Sequence, residues 1–177
     1  MINRNVAQHF CAVTFRAARC VNLQILDILS RDASRLFVDI AKELKISDAT
    51  VHMRVKRLQA AGILRRFTIT TDNILLGYEH LAFIRINTSK GSVDKVLIPL
   101  SQLDEILELR EMYGEFDLLV KISTRSLEDI RDIIANKIRR IPQIMDAQSI
   151  TVLKTIKEEH MISLKRDIAE AAYAVAT

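Results

Sequence analysis

The chain has 177 residues, 26 Lys and Arg against 22 Asp and Glu, and a hydrophobic content of 49%. That length fills one or two small domains with real cores, and such apolar content with only four Gly and two Pro argues against long disordered segments. No run approaches the roughly 20 apolar residues of a membrane span, and the patch Phe10–Phe15, bracketed by His9 and Arg16, is too short for a signal h-region.

Cys11 and Cys20 form neither a CxxC pair nor a framework, so a reducing cytoplasm is expected, with an interchain disulfide near the N-terminus as the alternative. Helical signals begin near Arg19, where Leu23, Ile25, Leu26, Ile28 and Leu29 give an amphipathic helix ending around Arg31. Leu36–Leu44 is the next, with Ile40, Ala41 and Leu44 turned inward. Ser47 stands where an N-cap is wanted, its hydroxyl able to accept a free N–H of the following turn. The third helix runs Asp48–Ala61 and stops at Gly62, a residue suited to the left-handed position after a helix. Ile63–Thr71 is β-branched and alternating, which suits a strand or a wing carrying Arg65 and Arg66.

The third helix is the most informative element. Val51, Val55 and Leu58 recur at i, i+4 and i+7, which commits one face to a core. The opposite arc collects Ala49, Thr50, Met53, Lys56 and Arg57, with His52 and Arg54 on its flanks. From Lys45 to Arg66 the basic residues are Lys45, Arg54, Lys56, Arg57, Arg65 and Arg66, against Asp48 alone. The positive excess of the chain is therefore local, and local positive charge is the footprint of phosphate contact. A buried stripe behind a small, cationic face suits entry into the DNA major groove. A solvated helix face is the competing explanation of such a charge run.

Asp72, Asn73 and Gly77 punctuate a hinge, and the pattern changes after it. His80–Asn87 reads as a strand, Val93–Leu103 as a helix that Pro99 should kink or end near Ile98, and Ile106–Met112 as a second strand. Phe116, Leu118, Val120 and Ile122 alternate in a third strand. Ser126 to Ile138 is a helix opened by a capping box of Ser126 with Asp129, and Ala147–Ile156 is a fourth strand. The order β-α-β-β-α-β is the ferredoxin-like arrangement, with both helices on one face of a four-stranded antiparallel sheet. Leu107, Leu109, Ile150 and Val152 are assigned to the other face, which a second copy would cover. A last amphipathic helix, Ser163–Ala176, places Leu164, Ile168, Ala172 and Val175 on one side for docking or assembly.

With both halves placed, the chain resembles the Lrp/AsnC (feast/famine) transcription regulators. The likeness is carried by IAKELKISDATVHMRVKRLQAAGIL, by LGY at Leu76–Tyr78, by YGEFDLLVKI at Tyr113–Ile122 and by SITVLKTIK ending at Lys157. It covers about residues 22 to 157, and the combination in this order is specific where either half alone would not be. It implies an α+β chain: an N-terminal extension over 1–20, a winged helix-turn-helix over 21–71, a hinge over 72–78, a ferredoxin-like βαββαβ (RAM-type) ligand-binding and oligomerisation domain over 79–157, and a C-terminal helical extension over 158–177. Asn22 stands about where the family usually has an Asp just before its first helix. Residues Met1–Ala18 extend beyond the usual start, through a misplaced start codon or as an added oligomer contact.

The resemblance also implies partners: double-stranded DNA, a homodimer assembling into a tetramer or octamer, and in many members an amino-acid effector, in a cytoplasmic, nucleoid-associated protein without a membrane partner. Thr50, Met53 and Arg57 are the first candidates for base edges, with Ala49 and His52 alongside: Thr50 can hydrogen-bond, Met53 can touch a thymine methyl, and Arg57 can fork onto guanine. His52 and Met53 could equally pack against the wing. Lys45, Ser47, Arg54, Lys56, Arg65 and Arg66 are phosphate positioners, with Arg54 able instead to pair with Asp39 or Glu43. The stretch Tyr113, Gly114, Glu115, Phe116, Asp117 matches the family's Gly-Asp-Tyr-Asp loop at Gly114 and Asp117. A Gly admits close approach to the backbone and an acidic group can meet an α-ammonium; the alternative is a hairpin turn at a dimer–dimer contact with no ligand.

No catalytic residue, cofactor or metal is expected. Sirohaem decarboxylases resemble the same two-domain layout, but His9, His52, His80 and His160 are scattered and neither paired carboxylates nor metal-ligand spacing occurs. A nucleoid-type architectural protein with little sequence preference is the third reading, separable by its specificity ratio.

Overall fold

Apolar stripes at helical spacing close a small helical unit. The structure, a computed structural model, describes residues 16–159 and 161–176. Its chain divides into two units, one taking in the described residues through Thr70 together with Glu159 onward, the other Thr71–Glu158. Helix α1 spans Arg16–Arg31, α2 Phe37–Leu44 and α3 Asp48–Ala60. Ile25, Ile28 and Leu29 of α1 pack with Ile40 and Ala41 of α2 and with Val51 and Val55 of α3. Asn22 lies inside α1 rather than before it, and the reading of Met1–Ala18 as an extension falls largely outside the described residues.

The turns follow local chemistry. Asp32 accepts the Ser34 amide at 2.9 Å and ends the α1 region in a side-chain turn. Lys45 closes α2 in a left-handed conformation, φ +54°, and the Ile46 amide donates to the Ala41 carbonyl at 3.0 Å. Ser47 caps α3 as its position predicts, accepting the Thr50 amide at 3.2 Å. Gly62, φ +70°, follows α3, and the Ile63 amide returns to the Leu58 carbonyl at 3.0 Å.

The expected strand or wing over Ile63–Thr71 does not form: the segment runs without strand pairing. Its β-branched alternation supplies one edge, but a ribbon needs a second strand, and no strand among the described residues pairs with it.

The second unit is a β-α-β-β-α-β fold: β1 His80–Thr88, α4 Val93–Ser101, β2 Ile106–Glu111, β3 Leu118–Thr124, α5 Leu127–Asp132, β4 Ile144–Thr151. The strands lie in the order β2-β3-β1-β4, all antiparallel. Ile84, Ile86, Val120 and Ile122 on the sheet meet Val96, Leu100, Ile130 and Ile138 from the helices. Helix α4 continues through Pro99 to Ser101, because a proline this close to the end forfeits little of the ladder. Ser126 and Asp129 make the reciprocal capping box that their spacing predicts. From Ile133 to Ile138 the helix widens to π geometry, which lets Ile133, Ile134 and Ile138 all turn inward.

Three sheet assignments shift. Phe116 and Asp117 belong to the turn before β3, since the Met112 amide donates to the Asp117 carbonyl at 2.8 Å and closes the hairpin there. Strand β4 begins at Ile144 and ends at Thr151, so most of the expected apolar tail, Leu153 and Ile156 included, lies beyond the sheet and exposed. Leu109 packs with the helix-side core, opposite Val120, because an irregularity between Ile106 and Glu108 shifts the alternation of β2. Ile150 does lie on the open face as expected, opposite Phe83, and Arg110 stands on the same face opposite Leu119.

The C-terminal helix, α6, spans Lys165–Ala176; Leu164 and Ile168 pack inward as expected, while Ala171 is buried in place of Ala172. Those residues join Leu23 and Leu26 of α1 and Leu58 of α3 in a second cluster of the helical unit.

Candidate nucleic-acid interface and effector loop

On α3, burial of Val51, Val55 and Leu58 leaves the reverse side open. Ala49, His52, Met53, Lys56, Arg57 and Ala60 line one shallow concavity there. The structure thus brings together five of the residues singled out from sequence and adds Ala60, whose small side chain gives no signal in sequence yet keeps the floor low. Met53 is 42% exposed, so it is available for contact rather than consumed as core. Lys45, Arg65 and Arg66 are exposed as well, Lys45 at the turn before α3 and the two arginines on the extended segment after it.

His52 and, outside the concavity, Ser47, Thr50 and Arg54 also have partners within the protein. His52 meets the Phe37 ring edge-on at 4.7 Å, and its Nε2 lies 3.7 Å from Asp48. Phe37 also meets Phe67 at 6.5 Å, so the extended segment packs against the start of α2, through Phe67 rather than through strand pairing. Thr50 and Ser47 share a hydroxyl–hydroxyl bond of 2.7 Å, which ties both side chains to the start of α3. Arg54 is half-buried and donates to Asn22 on α1 at 2.8 Å. Of its two expected acidic partners, Glu43 pairs with Arg35 at 2.5 Å and Asp39 with Lys42 at 3.3 Å. Arg54 therefore braces α3 against α1 instead of standing with the cationic face.

The hairpin at Tyr113–Asp117 separates its residues more sharply. Tyr113 is fully exposed, and a Cβ added at Gly114 would meet nothing within 4 Å, so no chain segment uses the approach a glycine permits. One carboxylate oxygen of Asp117 accepts both the Thr88 amide at 2.7 Å and the Thr88 hydroxyl at 2.8 Å. Those bonds hold the turn to the irregular end of β1, between Asn87 and Thr88. One oxygen of Asp117 is thereby committed to the fold, and Asp117 does not line the neighbouring cavity.

Glu115 and Phe116 instead share a cavity of about 70 Å³ with Arg85, Asn87, Asp146 and Gln148. Arg85 donates to Gln148 at 2.9 Å, Gln148 donates to Asp146 at 2.8 Å, and the Arg85 guanidinium sits 5.8 Å from the Phe116 ring centroid. The Arg85 Nε is buried with no hydrogen-bond partner among the described residues. Sequence reasoning missed the four strand residues; the available signal was Arg85 interrupting the otherwise apolar run of β1. Among the described residues there is no cluster of metal-ligating side chains, and no helix is long and apolar enough to cross a membrane. His52 and His80 fall in different units, and His9 and His160 lie outside the described residues.

Comparison with known proteins bears on both halves. Residues 21–59 match the AsnC-type helix-turn-helix domain, and residues 81–162 match the Lrp/AsnC ligand binding domain. The HTH-type transcriptional regulator FL11 of Pyrococcus abyssi is 32% identical over 145 residues, 82% of this chain and 95% of that protein. The HTH-type transcriptional regulator Ptr1 of Methanocaldococcus jannaschii is 33% identical over 78% of this chain and 93% of its own length. Among solved structures, E. coli AsnC superposes with a TM-score of 0.76 at 27% identity, covering 80% of this chain and 95% of that one. The regulator NMB0573 of Neisseria meningitidis, solved as an L-Met complex, shares the fold at a TM-score of 0.77 and 22% identity over 82% of this chain and 96% of its own.

Proposed function

The chain belongs to the Lrp/AsnC family of transcription regulators, and from that premise we propose that it binds double-stranded DNA sequence-specifically through the open face of α3. Ala49, His52, Met53 and Arg57 face base edges; Lys45, Lys56, Arg65 and Arg66 hold phosphates. Ser47 and Thr50 keep the start of the helix in register, with the Thr50 hydroxyl as the further base contact. The observation that carries this is the concavity of α3, small and cationic in front, seated on buried Val51, Val55 and Leu58 behind.

The protein acts as a homodimer, with the open sheet face covered by a second copy, and assembles further to a tetramer or octamer. Phe83, Leu119 and Ile150 supply apolar area on that face. An amino acid or related small molecule tunes the assembly at the Glu115–Phe116 cavity, where carboxylates and the partly unpartnered Arg85 could receive its two charged ends. At about 70 Å³ the cavity is far below the several hundred typical of ligand sites. The ligand therefore seats only once the hairpin moves or a second copy adds walls. The relatives are named transcriptional regulators, which favours a regulator in the cytoplasm and on the nucleoid over an enzyme.

The test is a gel-shift series on the promoter of the protein's own gene. With roughly four phosphates neutralised per subunit, log affinity falls with log salt at a slope of about −7 per dimer. Unchanged binding after Arg57→Ala, Arg65→Ala and Arg66→Ala together would overturn this assignment of the DNA face.

A further inference from the structure

Helix α6 lies beyond both matched domains, which end at residues 59 and 162. Among the described residues it is nonetheless a fourth helix of the DNA-binding unit, since Leu164 and Ala171 pack with Leu23, Leu26 and Leu58. The chain thus leaves that unit after Thr70 and returns to it at Glu159, so the ferredoxin-like domain is an insertion within the DNA-binding unit. Two covalent crossings join the units where a simple tandem would have one.

The two crossings depart side by side. Strands β1 and β4 are neighbours with Ala82 opposite Thr151, and the Val152 amide donates to the Leu81 carbonyl at 2.8 Å. Both crossings are also held by β3 and the residue after it. On the first, the Tyr78 carbonyl accepts the Ser123 hydroxyl at 3.5 Å, and the Tyr78 ring lies 5.1 Å from the Arg125 guanidinium. On the second, the Glu158 carboxylate pairs with the ammonium of Lys121. The Lys121 side chain is only 12% exposed, and a second carboxylate, Glu108 on β2, stands 3.5 Å away. Burial pulls its proton affinity down, but the ion pairs with Glu158 and Glu108 more than restore it, so the ammonium stays charged and needs a carboxylate beside it.

We infer that Lys121 and Glu158 form a latch on the second crossing. Closed, it fastens Glu158, at the far end of the exposed segment 153–157, to the sheet and so shortens the free tether to the DNA-binding unit that α6 completes. Open, Lys121 keeps Glu108 as its partner, so no buried charge is stranded, and the crossing is free to move. Two carboxylates within reach of one ammonium make the exchange cheap. Glu108 and Lys121 share the sheet face that a second copy would cover, so an acceptor arriving there and drawing the ammonium toward itself would release the strap. The latch stands independently of the DNA reading; its use in regulation rests on it.

Limited trypsin digestion of the full chain tests this, because Lys154 and Lys157 lie on the strap. Cleavage of a transiently open segment follows the open population. Glu158→Gln should raise the rate of cutting at these two lysines by about fivefold, whereas Glu108→Gln, which removes the competing acceptor, should lower it. The opposite signs distinguish a latch from general loosening. Glu158→Gln cut at the parent rate, or Glu108→Gln cut faster, would overturn the proposal. For the insertion, Leu164→Asp should lower the melting temperature of the DNA-binding unit while leaving that of the sheet unit in place; an unchanged melt of the first would show that α6 does not complete it.

Discussion

The open face of α3 and the hairpin at Tyr113–Asp117 are both short polar signatures set on an apolar scaffold, yet the fold spends them differently. On α3 the scaffold is the opposite side of the same helix, so Met53, Lys56 and Arg57 are left over for a partner once Val51, Val55 and Leu58 are buried. In the hairpin the signature must also build the turn. Asp117 is consumed in binding Thr88, and only Glu115 and Phe116 remain toward the cavity. A polar residue on a self-sufficient helix reports on an external partner, whereas a polar residue in a turn first reports on the turn.

The largest effect that sharpens this contrast lies on the helix side. Replacing Arg57, Arg65 and Arg66 with Ala strips the proposed DNA face of half or more of its positive charge. We expect promoter affinity to fall by at least about 100-fold at moderate salt, with the log–log salt slope shallower by roughly 0.9 for each phosphate no longer neutralised. Thermal stability should barely change, because all three side chains are exposed.

The hairpin should behave the other way. Asp117→Ala leaves the Thr88 amide and hydroxyl without their acceptor, and we expect the ferredoxin-like unit to lose about 1–3 kcal/mol, read by denaturant titration. Glu115→Ala, exposed and outside that network, should cost less than about 0.5 kcal/mol, while abolishing any shift in melting temperature produced by an amino acid. If Asp117→Ala is as stable as the parent and Glu115→Ala is not, the division of labour within the hairpin is reversed.

What could be read from the sequence was whatever neighbours decide. The Ser47 cap, Gly62 after α3 and the Ser126–Asp129 box each involve groups within a few residues, and each occurs as its spacing indicates. What could not be read was set by partners far along the chain. Ile63–Thr71 has strand composition but no strand to pair with among the described residues. The irregularity between Ile106 and Glu108 turns Leu109 inward, which no alternation rule for β2 alone can supply. In the DNA face, the phase of Arg54 is marginal between the cationic side and the buried edge, and only the proximity of Asn22, 32 residues earlier, resolves it. The cavity beneath Phe116 draws on β1 and β4, so its residues share no local motif.

Lys45 offers a smaller test, because it belongs to both categories at once. It holds a left-handed conformation that costs a non-glycine residue about 1 kcal/mol, and it carries a charge proposed to meet a phosphate. Lys45→Gly should therefore raise the stability of the helical unit by about 1 kcal/mol or less and still weaken DNA binding, with the salt slope shallower by roughly 2 per dimer. A weaker complex from a stabler protein is a combination that unfolding cannot produce. If stability and affinity instead fall together, Lys45 acts through the turn alone.

The smallest effect concerns the sheet unit's acid limit, away from both signatures. The Lys137 ammonium beside Glu105 holds that carboxyl below its usual value of 4.5. A carboxyl depressed in the folded state binds its proton more readily once unfolded, so it stabilises the fold above the unfolded pKa and loses that contribution as pH falls through the folded one. Because the pair is partly exposed, its worth is modest and screened by salt. Glu105→Gln should slightly lower the stability of the ferredoxin-like unit at pH 7 and flatten its decline below about pH 4.5, measured as unfolding midpoints across pH at low salt. The α3 face should be untouched by this change, so promoter affinity at pH 7 is the internal control. An acid limb of unchanged steepness would mean that other carboxylates, and not Glu105, set it.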